Sequence, residues 1–166
     1  MTSVLKVDNI QNSSGTDAIN IDSSGRVTVP ARPYASAAWN GTSIDSSGKF
    51  TGYETSEHNL LSGGVKIIYE NDSGMLNTST GIITIPVTGV YLIIGHYVNN
   101  TAITNRRIGH LYVNGAYYGE WQESYGQYDD QSAVKMLKLT ANDTVQFGRN
   151  TGLPYADFGF EMALLG

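Results

Sequence analysis

Hydrophobic and polar positions alternate along much of the chain, and the pattern is strongest in two adjacent segments. Residues 81–87 read GIITIPV and residues 90–98 read VYLIIGHYV, with Thr88-Gly89 between them. Such β-branched residues suit a pleated strand. Both faces of the 90–98 segment are mostly apolar, so we expect this strand to be covered on both sides. In a sandwich one cover is the opposite sheet, and a partner subunit is the simplest source of the second.

Shorter alternating segments, separated by turns of Gly, Asn, Asp and Ser, predict further strands. They are residues 32–39, 65–69, 108–113, 116–121, 133–139, 144–148 and a last strand in which Phe158, Phe160, Met162 and Leu164 share one face. Asn114-Gly115 between two of them is the strongest short-range hairpin signal. The pattern predicts an all-β fold with about ten strands, as in a jelly-roll β-sandwich or a related one.

The first part of the chain has a different pattern, and we predict two parts, residues 1–31 and 32–166. Residues 19–21 and 27–29 flank the polar sequence DSSGR, which predicts a small β-hairpin extension. The same motif recurs in residues 44–51. Two copies are too few for a solenoid. Either one turn is used twice, or a fibre-type hairpin is duplicated.

Composition excludes several classes of protein. The formal net charge is −5 and there is no run of Lys or Arg, which argues against a nucleic-acid partner. Cysteine is absent, so disulfides and Cys-based zinc sites are excluded. No apolar segment approaches the ~20 residues of a membrane helix, and we expect no membrane insertion. The first residues show no apolar core of a signal peptide.

Catalytic signatures are also missing from the sequence. The three histidines, His58, His96 and His110, lack the spacing of a metalloprotease motif. There is no Gly-x-Ser-x-Gly elbow and no phosphate-binding Gly-rich loop with Lys. We therefore expect a protein that is not an enzyme and has no cofactor. For His96 and His110 we expect hydrogen-bonded, structural roles in strands.

The richest candidate for ligand binding is residues 117–130, YYGEWQESYGQYDD. Aromatic faces beside amide and carboxylate acceptors suit sugar rings and protein partners. The alternative is that these aromatic residues fill the core or a subunit interface. Two adjacent acids make a candidate Ca²⁺ site, with an ordinary polar loop as the alternative. The candidate ligand-binding residues are Tyr117, Trp121, Tyr125 and Tyr128, and the candidate metal ligands are Asp129 and Asp130.

Four motifs together resemble a known family. Residues 80–91 read T-G-x-x-T-x-P-x-x-G-V-Y, residues 111–115 L-x-V-N-G, residues 137–145 L-x-L-x-x-x-D-x-V, and residues 158–160 F-G-F. In this order they are similar to the globular head of the first complement component, within the tumour-necrosis-factor-like jelly rolls. The resemblance covers residues 32–166.

This resemblance implies a jelly roll that forms a homotrimer, and in some members a Ca²⁺ ion near the trimer apex. One departure is Asn142-Asp143, where the family usually has Gly-Asp. Aromatic and aliphatic side chains suit such an interface. We therefore expect one face of the 90–98 strand, formed by Tyr91, Ile93 and Tyr97, to contact the partner subunits.

The first part of the chain resembles another class of protein. Residues 5–15, LKVDNIQNSSG, and residues 21–27, IDSSGRV, are similar to the openings of tail-fibre and other virion structural proteins of marine bacteriophages. The resemblance implies a virion protein assembled in the host cytoplasm. Its first segment would attach to other virion proteins, and its trimeric head would bind a host surface glycan or protein. The alternatives are a freestanding lectin-like carbohydrate-binding module and a polysaccharide depolymerase.

Overall fold

A computed structural model describes residues 9–11, 17–21, 23–28, 32–39, 41, 43–60, 65–71, 74–99, 107–124, 130–149 and 156–165. None of the described residues belongs to a helix that is long and apolar enough to cross a membrane. The chain divides into two compact units, Met1–Arg32 and Pro33–Gly166. That the first unit is an attachment segment stays a prediction.

The first unit contains a three-stranded antiparallel sheet in the order β1-β2-β3. Its strands are β1 (Asn9–Gln11), β2 (Asp17–Ile21) and β3 (Val27–Thr28). Ile21 pairs with Val27 across a turn in which Gly25 has φ 76°. The repeat of this motif in the second unit makes the same turn: Ile44 pairs with Phe50, and Gly48 has φ 82°. Glycine adopts such angles at little cost, and the observed geometry fits both one turn used twice and a duplicated fibre-type hairpin.

The second unit is built from eleven described strands. They are β4 (Tyr34–Ala38), β5 (His58–Leu60), β6 (Val65–Ile67), β7 (Leu76–Asn77), β8 (Ile82–Thr84), β9 (Gly89–Asn99), β10 (Arg107–Val113), β11 (Ala116–Ser124), β12 (Asp130–Leu139), β13 (Thr144–Arg149) and β14 (Ala156–Leu164). Nine of them form two antiparallel sheets, in the orders β11-β10-β13-β8-β7 and β12-β9-β14-β4. Strands β5 and β6 make a separate pair.

The core lies between the five-stranded and the four-stranded sheet and is rich in aromatic rings. Trp39 stacks on Phe50 with ring centroids 4.4 Å apart, and Phe147 stacks on Phe160 at 5.1 Å. Offset-stacked and edge-to-face pairs add to the stability that burial itself provides. Alternate residues of each strand point inward, and the inward residues of both sheets form this single core.

The inward face of β9 corrects one expectation from the sequence. Tyr91, Ile93 and Tyr97, expected at a subunit interface, are 0%, 0% and 3% exposed within one chain. Both faces of β9 are apolar, so alternation alone did not decide which face meets the opposite sheet. The described residues that face outward from the middle of β9 are Leu92, Ile94 and His96.

Two turns at one end of the five-stranded sheet are joined by side-chain hydrogen bonds. Asn114, with φ 52°, donates from Nδ2 to Oδ1 of Asp143 at 2.9 Å. The backbone N–H of Thr144 donates to Oδ1 of Asn114 at 2.9 Å. The hydrogen bond from Asn114, with a second from the Thr140 N–H, lowers the pKa of Asp143. These bonds fix the β10–β11 hairpin against the start of β13.

Candidate functional site

The outward side of the four-stranded sheet carries an apolar surface, which we call the apolar face. Its members are Val90, Leu92 and Ile94 of β9, Val134 and Met136 of β12, and Ala163 of β14. Val134 is 61% exposed and Met136 is 67% exposed. Large exposed apolar patches often mark interaction sites, so this face is a candidate interaction surface.

The register of the sheet arranges these residues in cross-strand rows. Leu92 pairs with Met136 on one side and with Ala163 on the other. Beside this row lies a groove of about 50 Å³, lined by Tyr34, Leu92, Ile94 and Ala163 among others. The exposed methionine and the groove are on different strands of one face. The face therefore offers both a projection and a recess to a second surface.

A polar cluster interrupts the apolar face, and we call it the polar island: His96, Ser132 and Glu161. Nδ1 of His96 lies 2.7 Å from Oγ of Ser132, its direct cross-strand partner. Nε2 of His96 lies 4.0 Å from Oε1 of Glu161 on β14. Burial lowers the pKa of His96, and the nearby Glu161 carboxylate opposes that shift. The imidazole is thus favoured in its neutral form near pH 7.

The outward side of the five-stranded sheet carries a second surface, the aromatic cluster: His110, Tyr112 and Tyr117. The ring centroids of His110 and Tyr117 are 5.1 Å apart, and those of Tyr112 and Tyr117 are 6.0 Å apart, both edge-to-face. Nζ of Lys49 lies 5.0 Å from the Tyr112 ring centroid. Tyr117 is 54% exposed, so its ring is the accessible part of the cluster.

Of the candidate ligand-binding residues, only Tyr117 is described at the surface. Trp121 is 6% exposed and belongs to the core, where its ring meets Phe147 edge-to-face with centroids 5.5 Å apart. It presents no ring to a ligand, which corrects its assignment. Tyr125, Tyr128 and Asp129 lie outside the described residues, as does the side chain of Asp130. The Ca²⁺ site therefore stays a prediction.

Part of the aromatic cluster is predictable from the local sequence. A two-residue Asn114-Gly115 turn pairs Tyr112 with Tyr117, and that pairing is present. Counting back from the turn would have placed both rings on one face. Lys49 comes from a turn far away in sequence, and no local pattern indicates its contact with Tyr112.

Within one chain, the described residues contain no group of three or more His, Asp or Glu side chains that would hold a metal ion. The polar island contributes one imidazole and one carboxylate.

Comparison with known proteins shows similarity at the level of the fold. No protein-family profile matches the chain, and no curated protein matches it either. It is similar to the globular domain of zebrafish complement 1qA protein, with a TM-score of 0.56 and 16% identity over 81% of this chain and 98% of that one. It also matches pika GITRL, with a TM-score of 0.44 and 16% identity over 81% of this chain and 97% of that one. The likeness to complement 1qA, together with the sheet order, confirms the predicted all-β jelly-roll sandwich.

Proposed function

We propose that this chain is a structural component of a phage virion, a homotrimeric tip of a tail fibre or other appendage that binds the host surface. The observation that supports assembly is the apolar face on the outward side of the four-stranded sheet. Met136 and Val134 are more than half exposed there, beside a groove lined by Leu92 and Ala163. Leaving such a surface in water is unfavourable, and a second copy covers it with matching chemistry.

The arrangement of this face supports self-association over capture of an unrelated protein. Met136 projects from β12 at one edge of the four-stranded sheet, and the groove includes Tyr34 of β4 at the other edge. A projection on one copy that enters the recess of the next makes a head-to-tail contact, which closes into a ring when the rotation permits. The sequence resemblance to complement-type heads supports three copies in that ring.

The aromatic cluster supports the adhesive part of the proposal. It lies on the other sheet from the apolar face, so assembly through the apolar face leaves Tyr117 accessible. The exposed Tyr117 ring lies edge-to-face with Tyr112, and the Lys49 ammonium lies over the Tyr112 ring, so the cluster offers a stacking face with a cation nearby. Three such surfaces on one tip gain avidity from simultaneous contacts, even when each contact is weak.

The phage context rests on the resemblance of residues 5–27 to virion proteins, and it requires its own test. Mass spectrometry of purified particles from the source phage should detect the chain. If it is absent from particles while the purified protein binds carbohydrate, the lectin-like alternative replaces the virion role. The aromatic cluster is the observation that favours that alternative.

Assembly is tested on the full chain by light scattering at micromolar concentration, with a trimeric mass expected. A monomer at that concentration contradicts the proposed tip. Adhesion is tested by measuring binding of the labelled protein to host cells before and after enzymatic removal of surface polysaccharide. Sustained release of reducing ends from that polysaccharide would contradict the non-enzymatic role.

A further inference from the structure

We infer that Asn114 is a site of self-modification by deamidation, and that its hydrogen bonds to Asp143 and Thr144 set the rate. Asparagine is one of the labile residues of proteins. Here it is followed by Gly115, whose backbone nitrogen has no neighbouring side chain to hinder its approach to the Asn114 amide. Asn114 is exposed, so water also reaches it. All the groups involved lie in one chain, and the inference does not rest on the proposed trimer.

The reaction needs only this chain and water. The backbone nitrogen of Gly115 gives up its proton to solvent and attacks Cγ of Asn114. A bond forms between these two atoms, the bond from Cγ to Nδ2 breaks, and Nδ2 takes up a proton and leaves as ammonia. Water then opens the resulting five-membered cyclic imide. Opening on one side gives aspartate, and opening on the other side gives isoaspartate, in which the backbone runs through the former side chain.

The folded chain holds the Asn114 amide by both of its polar atoms. Nδ2 donates to Oδ1 of Asp143 at 2.9 Å, and Oδ1 accepts from the Thr144 N–H at 2.9 Å. The backbone N–H of Asn114 also donates to the Thr144 carbonyl, at 2.8 Å. Closing the imide ring moves Cγ onto the Gly115 nitrogen and removes Nδ2, so the hydrogen bond to Asp143 is lost in the reaction. The folded chain should therefore deamidate at Asn114 more slowly than the unfolded chain.

Asp143 is a fixed partner for this amide. Its Oδ2 accepts from the Thr140 N–H at 2.7 Å, which leaves Oδ1 for Nδ2 of Asn114. A hydrogen bond to a carboxylate is stronger than one to a neutral oxygen. Both side chains contact water, which reduces the contribution of each bond. Together the hydrogen bonds at Asn114 should slow deamidation about tenfold relative to the unfolded chain.

Deamidation would change the hairpin as well as the amide. An aspartate at residue 114 has no side-chain N–H to donate, and its carboxylate would lie beside that of Asp143, so two like charges would repel each other. Isoaspartate adds one carbon atom to the backbone of a two-residue turn, whose strand pairing depends on its length. That turn pairs Tyr112 with Tyr117. Loss of the amide should therefore loosen the hairpin that carries the accessible ring of the aromatic cluster.

The experiment incubates the full chain at mildly alkaline pH, with and without urea. Peptide mapping by mass spectrometry follows the conversion of amide to acid at residue 114, and enzymatic methylation detects isoaspartate. The second Asn-Gly pair of the sequence, at residues 40–41, is the reference in urea. We expect the two pairs to react at similar rates in urea, and Asn114 to react about tenfold more slowly in the folded chain than in urea.

Two substitutions of Asp143 test the hydrogen bond itself. Asp143→Ala removes the acceptor and should speed deamidation of the folded chain about 3- to 10-fold. Asp143→Asn keeps an oxygen that accepts from Nδ2 of Asn114, and should speed the reaction less, because the charge is lost but the bond is not. Glu70→Gln, at an exposed position, is the matched control and should leave the rate unchanged. Circular dichroism checks that each variant is folded.

The outcomes separate the site from its control by the fold. If residues 40–41 react in urea and Asn114 does not, the modification site is overturned. Equal rates for Asn114 in the folded chain and in urea overturn the role of the hydrogen bonds, as does a folded Asp143→Ala variant that reacts no faster than the unaltered chain. Where Asp143→Ala fails to fold, Asp143→Asn decides: a faster reaction supports the inference, and an unchanged rate overturns the role of Asp143.

Discussion

The indole ring of Trp121 on β11 lies directly over Gly95 on β9, so the two sheets touch where one of them has no side chain. A Cβ at residue 95 would stand 2.3 Å from Nε1 and 2.8 Å from Cε2 of Trp121. Real Cβ atoms do not approach other atoms so closely, and a tryptophan ring has no flexible end to move aside. The glycine and the tryptophan therefore form one packing unit across the core.

We expect Gly95→Ala and Trp121→Ala each to destabilise the fold, the first by overpacking and the second by leaving a cavity. The expected losses are about 1–3 kcal/mol for Gly95→Ala and about 3–5 kcal/mol for Trp121→Ala. Equilibrium unfolding in urea measures both. If Trp121→Ala unfolds as the unaltered chain does but loses host binding, Trp121 is a ligand contact and its place in the core is wrong.

Substitutions on the two faces of the four-stranded sheet should have different effects. A charge on the inward face should affect folding, and a charge on the apolar face should affect assembly. Met136→Asp, on the apolar face, should give a folded monomer. Met136 is 67% exposed, so one chain tolerates a charge there, whereas the proposed contact between copies would bury it. Ile93→Asp should prevent folding, because it buries an unpaired charge at a 0% exposed position. Light scattering with circular dichroism distinguishes the two results. A trimeric Met136→Asp variant would show that assembly uses another surface.

Tyr117→Ala should weaken binding to host cells or to soluble host oligosaccharides severalfold and leave the melting temperature nearly unchanged. Substitutions at exposed sites usually change stability by less than about 0.5 kcal/mol. Tyr118→Ala is the matched control, because Tyr118 is 56% exposed and stands outside the aromatic cluster. Equal losses for both variants would contradict a specific site at Tyr117.

Asp143 should make the stability of the fold depend on pH in the acid range. Its pKa is lowered by hydrogen bonds from Asn114 and from the Thr140 N–H, below the ordinary value of 3.8. The folded state therefore gains stability that is fully present above about pH 4 and is lost as the pH falls through the lowered pKa. Asp143→Asn should remove this contribution, so its melting temperature and that of the unaltered chain should converge at low pH. Glu70→Gln, at an exposed position, is the control.

Local patterns predicted most of the strands. The predicted strand 90–98 corresponds to the observed strand Gly89–Asn99. The two strands of the hairpin around Asn114-Gly115 are longer than predicted at the ends away from the turn. Two-residue alternation and turn residues are local features of the sequence. They predict strands without any knowledge of contacts between distant segments. Strand β12 begins earlier than predicted, at Asp130, because its first residues lack a clear alternation.

The orientation of faces was harder to predict, because it depends on contacts between distant segments. β9 is apolar on both sides, and its inward side is the one on which Gly95 meets Trp121 from the other sheet. The aromatic residues after Asn114-Gly115 are equally suited to a core, an interface or a binding surface. Tyr117 and Trp121 lie on the same strand, yet one is 54% exposed and the other 6%.

The order of strands in the four-stranded sheet bears on when assembly begins during protein synthesis. β14 lies between β9 and β4, although β10 to β13 separate it from β9 along the chain. Synthesis proceeds from the N-terminus, so the sheet that carries the apolar face stays incomplete until Leu164 has left the ribosome. In the proposed trimer, pairing through the apolar face therefore follows completion of this sheet.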